Sequence, residues 1–220
     1  KKIYLFETSI FLKKIQKEKI KDKQVKWIKN LKSIKNGPVI FFGNEFFDAI
    51  PIKQFKREEK ILYEKFYFLQ KNYKIKELFK KASKKDIQNI NSYNSLNELK
   101  FIEFPKTGFI ELKKMIRKIS NLRGCILLID YGYLKSKNQN TLQSVFKHKK
   151  NSVLRNLGKA DITSHINFNL LDEFFLKNGL KIKKTVTQRE FLQSLGINKR
   201  AEIISKKMKF SDQANLYLRL

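Results

Sequence analysis

Two short runs of β-type apolar residues constrain this chain most. Val39-Ile40-Phe41-Phe42 ends at Gly43-Asn44-Glu45, and Cys125-Ile126-Leu127-Leu128-Ile129 ends at Asp130-Tyr131-Gly132. A continuous apolar run of this length reads as a strand buried on both faces, as in a parallel sheet covered by helices. Each run stops abruptly at acids or amides, and in parallel α/β sheets ligands sit at the carboxyl ends of the strands. A third such end lies at Ile3-Tyr4-Leu5-Phe6, followed by Glu7. Topology therefore predicts that Glu7, Asn44-Glu45 and Asp130 line one cleft.

The intervening segments supply helices. Thr8 and Ser9 are good N-caps, and Ile10, Phe11, Leu12 and Ile15 follow at helical spacing. Phe109, Leu112, Ile116 and Ile119 form an apolar stripe that Gly124 stops. Phe168, Leu171, Phe174 and Phe175 mark another helix, closed by Gly179. Phe191–Leu195 and Ile203–Met208 also read as helical. Val25–Ile28 is expected to be a strand and Ile182–Val186 an outer strand. Residues 53–78 mix charge with aromatics and read as a β-hairpin turning near Lys71-Asn72. Residues 80–100 read as loop-rich, and 134–164 as a long polar segment. Strands alternating with helices predict an α/β fold with a mostly parallel sheet. The expectation is one domain over residues 1–220, with a hairpin-containing insertion at about 53–105.

Composition narrows the function classes. The 220 residues are 41% hydrophobic and carry a net charge of +29. That charge invites a nucleic-acid partner. However, only seven of the 49 basic residues are arginine, and the lysines are spread along the whole chain. Lys, Asn, Ile and Phe share AT-rich codons, so compositional bias outweighs a dedicated polyanion site. No apolar run is long enough to span a bilayer as a helix. A signal peptide is not expected either. The single cysteine, Cys125, gives neither a disulfide nor a metal cluster, and a reducing, cytosol-like compartment is the default.

Glu45 and Asp48 are three residues apart, so a helical turn would put both carboxylates on one side, where they could clamp a guanidinium. The competing reading is capping, with Asn44 as cap, Glu45 in the first turn and Pro51 as terminator. Glu7 suits a ribose-binding acid, or simply an acid favouring the next helix N-terminus. His148 and His165 lack further ligands at metal-binding spacing, so no metal is expected. Hydrogen bonding or proton transfer near a substrate is the reading left for them.

The stretch Asn44-Glu45-Phe46-Phe47-Asp48-Ala49-Ile50-Pro51 resembles the signature of the MidA family of methyltransferases, which includes a mitochondrial enzyme assisting respiratory complex I assembly. Glu7-Thr8-Ser9 with Leu12 and Gln16 resembles its ribose-acid segment, and Trp27 falls where the family commonly has Trp. Leu128-Ile129-Asp130-Tyr131-Gly132 resembles its second signature strand. Thr141-Leu142-Gln143, His148, Gly158 to Phe168, Thr187-Gln188, Phe191-Leu192 and Leu195-Gly196-Ile197 continue the likeness in order. Asn167 stands where the family usually has Asp. The family's Gly-x-Gly loop would lie before Lys1, and a final Met-Gly strand after Leu220, so a fragment truncated at both ends is expected.

The resemblance implies a class I, Rossmann-like, seven-stranded sheet, here incomplete and lacking the first strand and glycine loop. It implies S-adenosyl-L-methionine as cofactor and methyl transfer to a protein arginine, for example on a complex I subunit. The location it implies is a bacterial cytoplasm or a mitochondrial matrix. Glu45, Asp48, Asp130 and His165 become the catalytic candidates, with Tyr131 lining the same cleft. Glu7 and Asn44 become the cofactor-binding candidates. Two alternatives remain: a non-catalytic assembly module, and a basic nucleic-acid-binding protein or RNA methyltransferase.

Overall fold

The structure is a computed structural model that describes residues 2–135 and 137–218. The chain divides into two compact units, residues 1–180 and 181–220.

In the first unit, β1 (Ile3–Phe6) leads into α1 (Ile10–Lys19) and β2 (Val25–Ile28). Ser9 caps α1, its side chain accepting from the Leu12 N–H at 3.2 Å. β1 and β2 pair in parallel, Ile3 opposite Val25. Next come β3 (Val39–Asn44), β4 (Lys53–Glu58), β5 (Ile61–Leu69), β6 (Ile75–Lys81), α2 (Lys84–Asn91), β7 (Phe101–Phe104), α3 (Lys106–Leu122) and β8 (Gly124–Ile129). The unit closes with β9 (Gly132–Tyr133), β10 (Gln143–Phe146), β11 (Lys149–Asn151), β12 (Asp161–Thr163), β13 (Ile166–Asn167) and α4 (Phe168–Lys177).

β3 and β8, the two apolar runs, pair in parallel from Val39–Gly124 to Asn44–Ile129. This brings both polar strand ends to one edge. Among the described residues the parallel strands form two-stranded ladders rather than one wide sheet. Burial on both faces is not found: Ile40 is 70% and Phe42 65% exposed, while Val39, Phe41 and Gly43 on the other face are half-buried. Alternation along the strand is what a ladder covered on one face produces.

Residues 53–104 hold more than a hairpin. β4 to β7 form an antiparallel sheet in the order β6-β5-β4-β7, and the β5–β6 hairpin turns through residues 70–74. Residues 84–91 are the helix α2 rather than loop, capped by Ser83. Its Asp86 is buried and ion-paired to Lys53 and Lys106 at 3.1 and 2.6 Å. The polar segment 134–164 carries the small antiparallel sheet β11-β10-β12.

The core gathers on α3. The Phe109 ring stacks on Phe174 of α4, with centroids 4.0 Å apart, and meets Phe104 of β7 edge-on at 5.5 Å. Phe55, Ile102, Leu112 and Phe174 are fully buried around it. Each such side chain contributes roughly 1.5–3 kcal/mol of transfer free energy.

The second unit contains α5 (Gln188–Ser194), α6 (Ile197–Ser205) and α7 (Phe210–Leu218). Thr187 and Glu190 form a reciprocal capping box on α5. The strand expected over 182–186 is absent: these residues pair with no ladder, and an extended segment without a partner edge is not a strand.

Candidate active site

The site is built where β3 and β8 end. The Asp130 Oδ1, one residue past β8, accepts the backbone N–H groups of Phe47 and Asp48 at 3.1 and 3.2 Å. These bonds fold the segment after β3 back across the strand ends. The helical turn expected over 45–48 does not form, because Glu45 takes a left-handed φ of 46° and leaves the helical path. Glu45 is exposed, whereas Asp48 is 3% exposed. The carboxylate that adjoins Asp48 is thus Asp130.

Two oxygens here are buried without a hydrogen-bond partner, Asp48 Oδ1 and Asp130 Oδ2. A buried, unpaired carboxylate oxygen is costly, and a site that keeps two of them suits a cationic donor. Burial pushes the Asp130 carboxyl up to about 6, and the charges of Asp48 and Glu45 push the same way, against the two backbone N–H groups. Tyr131 is also raised, by burial first and then by Asp48.

His165 is brought here from the other side of the chain. β9 and β13 pair in parallel, Gly132 opposite Ile166, and the Ile166 N–H donates to the Tyr131 carbonyl at 3.1 Å. A Cβ on Gly132 would lie 2.1 Å from the Ile166 carbonyl oxygen, so only glycine permits this approach. The Ser164 N–H donates to the Asp48 carbonyl at 3.0 Å. His165 is exposed, and its ring meets Tyr131 edge-on at 5.4 Å. His148 is elsewhere, in the β10–β11 turn at φ 60°. Asn167 caps α4, accepting from the Leu170 N–H at 3.2 Å. Among the described residues no group of three or more His, Cys, Asp or Glu could hold a metal ion.

Of the cofactor candidates, Asn44 stands at the same β3 end and Glu7 at the end of β1. Glu7 follows β1, and its two oxygens accept from the Ser9 N–H at 2.8 Å and the Gln16 side chain at 3.3 Å. Gln16 is itself fixed by the Trp27 indole N–H at 2.9 Å. The carboxylate is oriented, yet each oxygen retains a free lone pair for a hydroxyl donor. Asn44 ends β3 opposite Ile129, with an exposed side chain.

Sequence reasoning missed Glu103 and gave Thr141 no role of its own. Glu103 is the lone acid in the apolar β7, a signal that was available: a charge on such a strand must find buried partners.

Residues 1–186 match a protein-family model described as "Putative S-adenosyl-L-methionine-dependent methyltransferase". The chain is 30% identical over 211 residues to the mitochondrial protein arginine methyltransferase NDUFAF7 homolog of Caenorhabditis elegans, covering 90% of this chain and 47% of that protein. It is 25% identical over 178 residues to the mitochondrial protein arginine methyltransferase NDUFAF7 of Danio rerio, covering 81% and 42%. The chain therefore spans about half the length of the curated relatives it matches. A crystal structure of a COG1565 superfamily member from Burkholderia thailandensis, bound to S-adenosyl-homocysteine, superposes with a TM-score of 0.76 at 18% identity. That match covers 98% of this chain and 58% of the other. The fold is thus shared with that protein.

Proposed function

The chain belongs to the MidA family of S-adenosyl-L-methionine-dependent methyltransferases, and from this premise we propose that it forms the acceptor side, and part of the donor side, of an enzyme that methylates arginine on a protein. The observation that carries this reading is the pair of buried, unpartnered oxygens Asp48 Oδ1 and Asp130 Oδ2. A guanidinium presents a rigid fork of donors and a full positive charge, which answers both the missing hydrogen bonds and the carboxylate repulsion. An acceptor such as an arginine on a respiratory complex I subunit is the form that the family resemblance suggests.

The donor supplies an electrophilic methyl on a positively charged sulfur. Glu7 would hold its ribose hydroxyls, and Asn44 its methionine end. The remaining work falls to the acceptor side. Asp48 and Asp130 bind and orient the guanidinium so that one nitrogen faces the methyl. Methylation of that nitrogen releases one N–H proton. Asp130, titrating at about 6 before the cation binds, can hold that proton at Oδ2, and the exposed His165 beside Tyr131 passes it to solvent.

The test is labelled methyl transfer by the natural-length protein, read as methylarginine after acid hydrolysis. Asp48→Ala should abolish the signal while the circular dichroism spectrum is unchanged. Unchanged turnover would remove Asp48 from its assigned role. If labelled lysine or nucleic acid appears instead of methylarginine, the acceptor class is wrong.

A further inference from the structure

We propose that Glu103, 27 residues before Asp130 in the sequence, is a positioning residue that sets the place of His165 through Thr141. The inference takes the role of His165 from the reading above, but the placement itself rests on geometry alone.

Glu103 is buried on β7 and sits directly across from the buried Gln54 of β4. Its carboxylate takes four hydrogen bonds: from the Gln54 side-chain amide at 2.9 Å, the Thr141 N–H at 3.1 Å, the Leu142 N–H at 3.3 Å and the Thr141 hydroxyl. An ionised carboxylate accepts only: three of these donors meet at Oε1, and the Thr141 hydroxyl alone takes Oε2. The Thr141 hydroxyl, with its proton committed to Glu103, can offer its oxygen as an acceptor. It takes the His165 N–H at 2.9 Å. The relay is directional: Glu103 fixes the hydroxyl rotor, and the hydroxyl fixes the backbone that carries the imidazole.

Neighbouring contacts make the anchor rigid. Gln54 also donates to the Asn140 side chain at 2.7 Å, and the Asn138 side chain accepts the N–H groups of Lys100 and Phe101 at 2.6 and 3.2 Å. The antiparallel sheet thereby grips residues 138–142, which would otherwise be an exposed loop. Glu103, Phe109, His165 and Asn167 also line one small cavity, so Glu103 and His165 border the same space. A buried carboxylate bound by four donors in this way serves to hold other groups in place.

The experiment is amide hydrogen exchange by NMR on the labelled chain, in Glu103→Gln, Thr141→Val and Thr141→Ser forms. Gln can keep an oxygen at the Oε1 position but sets an amide donor where Oε2 took the Thr141 hydroxyl proton, freeing that rotor, and Val removes the acceptor of the His165 N–H. Both should speed exchange at His165 about tenfold, the loss of one hydrogen bond's protection. Exchange at Phe55 and Leu62 should not change, and Thr141→Ser should restore protection at His165. Loss of protection spread evenly over β4 and β5 would overturn the proposal in favour of simple sheet support. So would unchanged exchange at His165. If Glu103→Gln does not fold, the Thr141 pair decides the second half of the relay, and failure of Ser to rescue Val overturns it. In the natural-length protein, Glu103→Gln should lower kcat with little change in KM for the donor. Absence of methyl transfer by the parent would sink the proposed function, while the exchange data would still decide this relay.

Discussion

At Asp130, burial and the charges of Asp48 and Glu45 outweigh two backbone N–H donors, and the carboxyl titrates at about 6. The folded state therefore holds this proton more tightly than the unfolded chain. Its contribution to stability is largest below the ordinary carboxylate range and falls as pH rises through 6. Asp130→Asn keeps an oxygen for the Phe47 and Asp48 N–H groups but removes the charge. It should raise stability at pH 7 by about 1 kcal/mol after solvent screening, with no gain at pH 4, in thermal unfolding. A loss at pH 7 would mean that the charge is already compensated. The same substitution should weaken binding of a guanidinium, so the site trades stability for function. Both acids were legible in the sequence as interruptions after apolar runs. Their partnership was not: spacing paired Asp48 with Glu45, whereas the fold pairs it with a residue 82 positions away. Local spacing cannot encode a contact made by β3 and β8 running side by side.

Helices with a periodic apolar face were readable from sequence, α1 from Ser9 onward and α3 through its Phe109–Ile119 stripe, and β3 and β8 were readable as continuous apolar runs, though not their one-sided burial. Elements stabilised by long-range polar pairs were not. α2 turns a buried Asp86 inward, which Lys53, Lys106 and the Ser83 hydroxyl make tolerable. β7 carries Glu103 inward for the loop at 138–142, and β10 to β12 are too short to show a period. The start of β8 gives a sharp test. Gly124 has φ 135°, and a Cβ there would lie 1.8 Å from the Val39 carbonyl oxygen. Gly124→Ala should separate the β3–β8 ladder and cost about 3 kcal/mol or more, measured by urea unfolding. A second test lies between α4 and the turn at Asn94–Leu96. Glu173 accepts the N–H groups of Asn94 and Ser95 at 2.8 and 3.0 Å. Burial opposes its ionisation, but these bonds with Lys177 and the Ser95 hydroxyl win and hold it at about 2. That stability is present above the ordinary glutamate range and is lost as pH falls toward 2. Glu173→Gln should flatten this acid limb, while leaving methyl transfer by the natural-length protein unchanged.

Over the whole molecule, a net charge of +29 surrounds a cluster of three acids at the ends of two strands. The excess is lysine spread over the surface, so RNA should bind weakly and without sequence preference. Filter binding should show the complex lost by about 150 mM salt. Tight binding that survives such salt would revive an RNA acceptor. The family and the α/β fold were legible because the motifs occur in order along the chain. The division into two compact units was not, since no linker composition marks residue 180. The acceptor chemistry is the claim on which the rest depends. Its most direct measurement is transfer of labelled methyl from S-adenosyl-L-methionine by the natural-length protein to proteins of its own cell extract, comparing wild type with Asp48→Ala. The account predicts label recovered as methylarginine with wild type and at least a hundredfold less, on the order expected for losing a buried charge contact to the reacting group, with the variant. Equal methylarginine from both, or label on another residue, would contradict it.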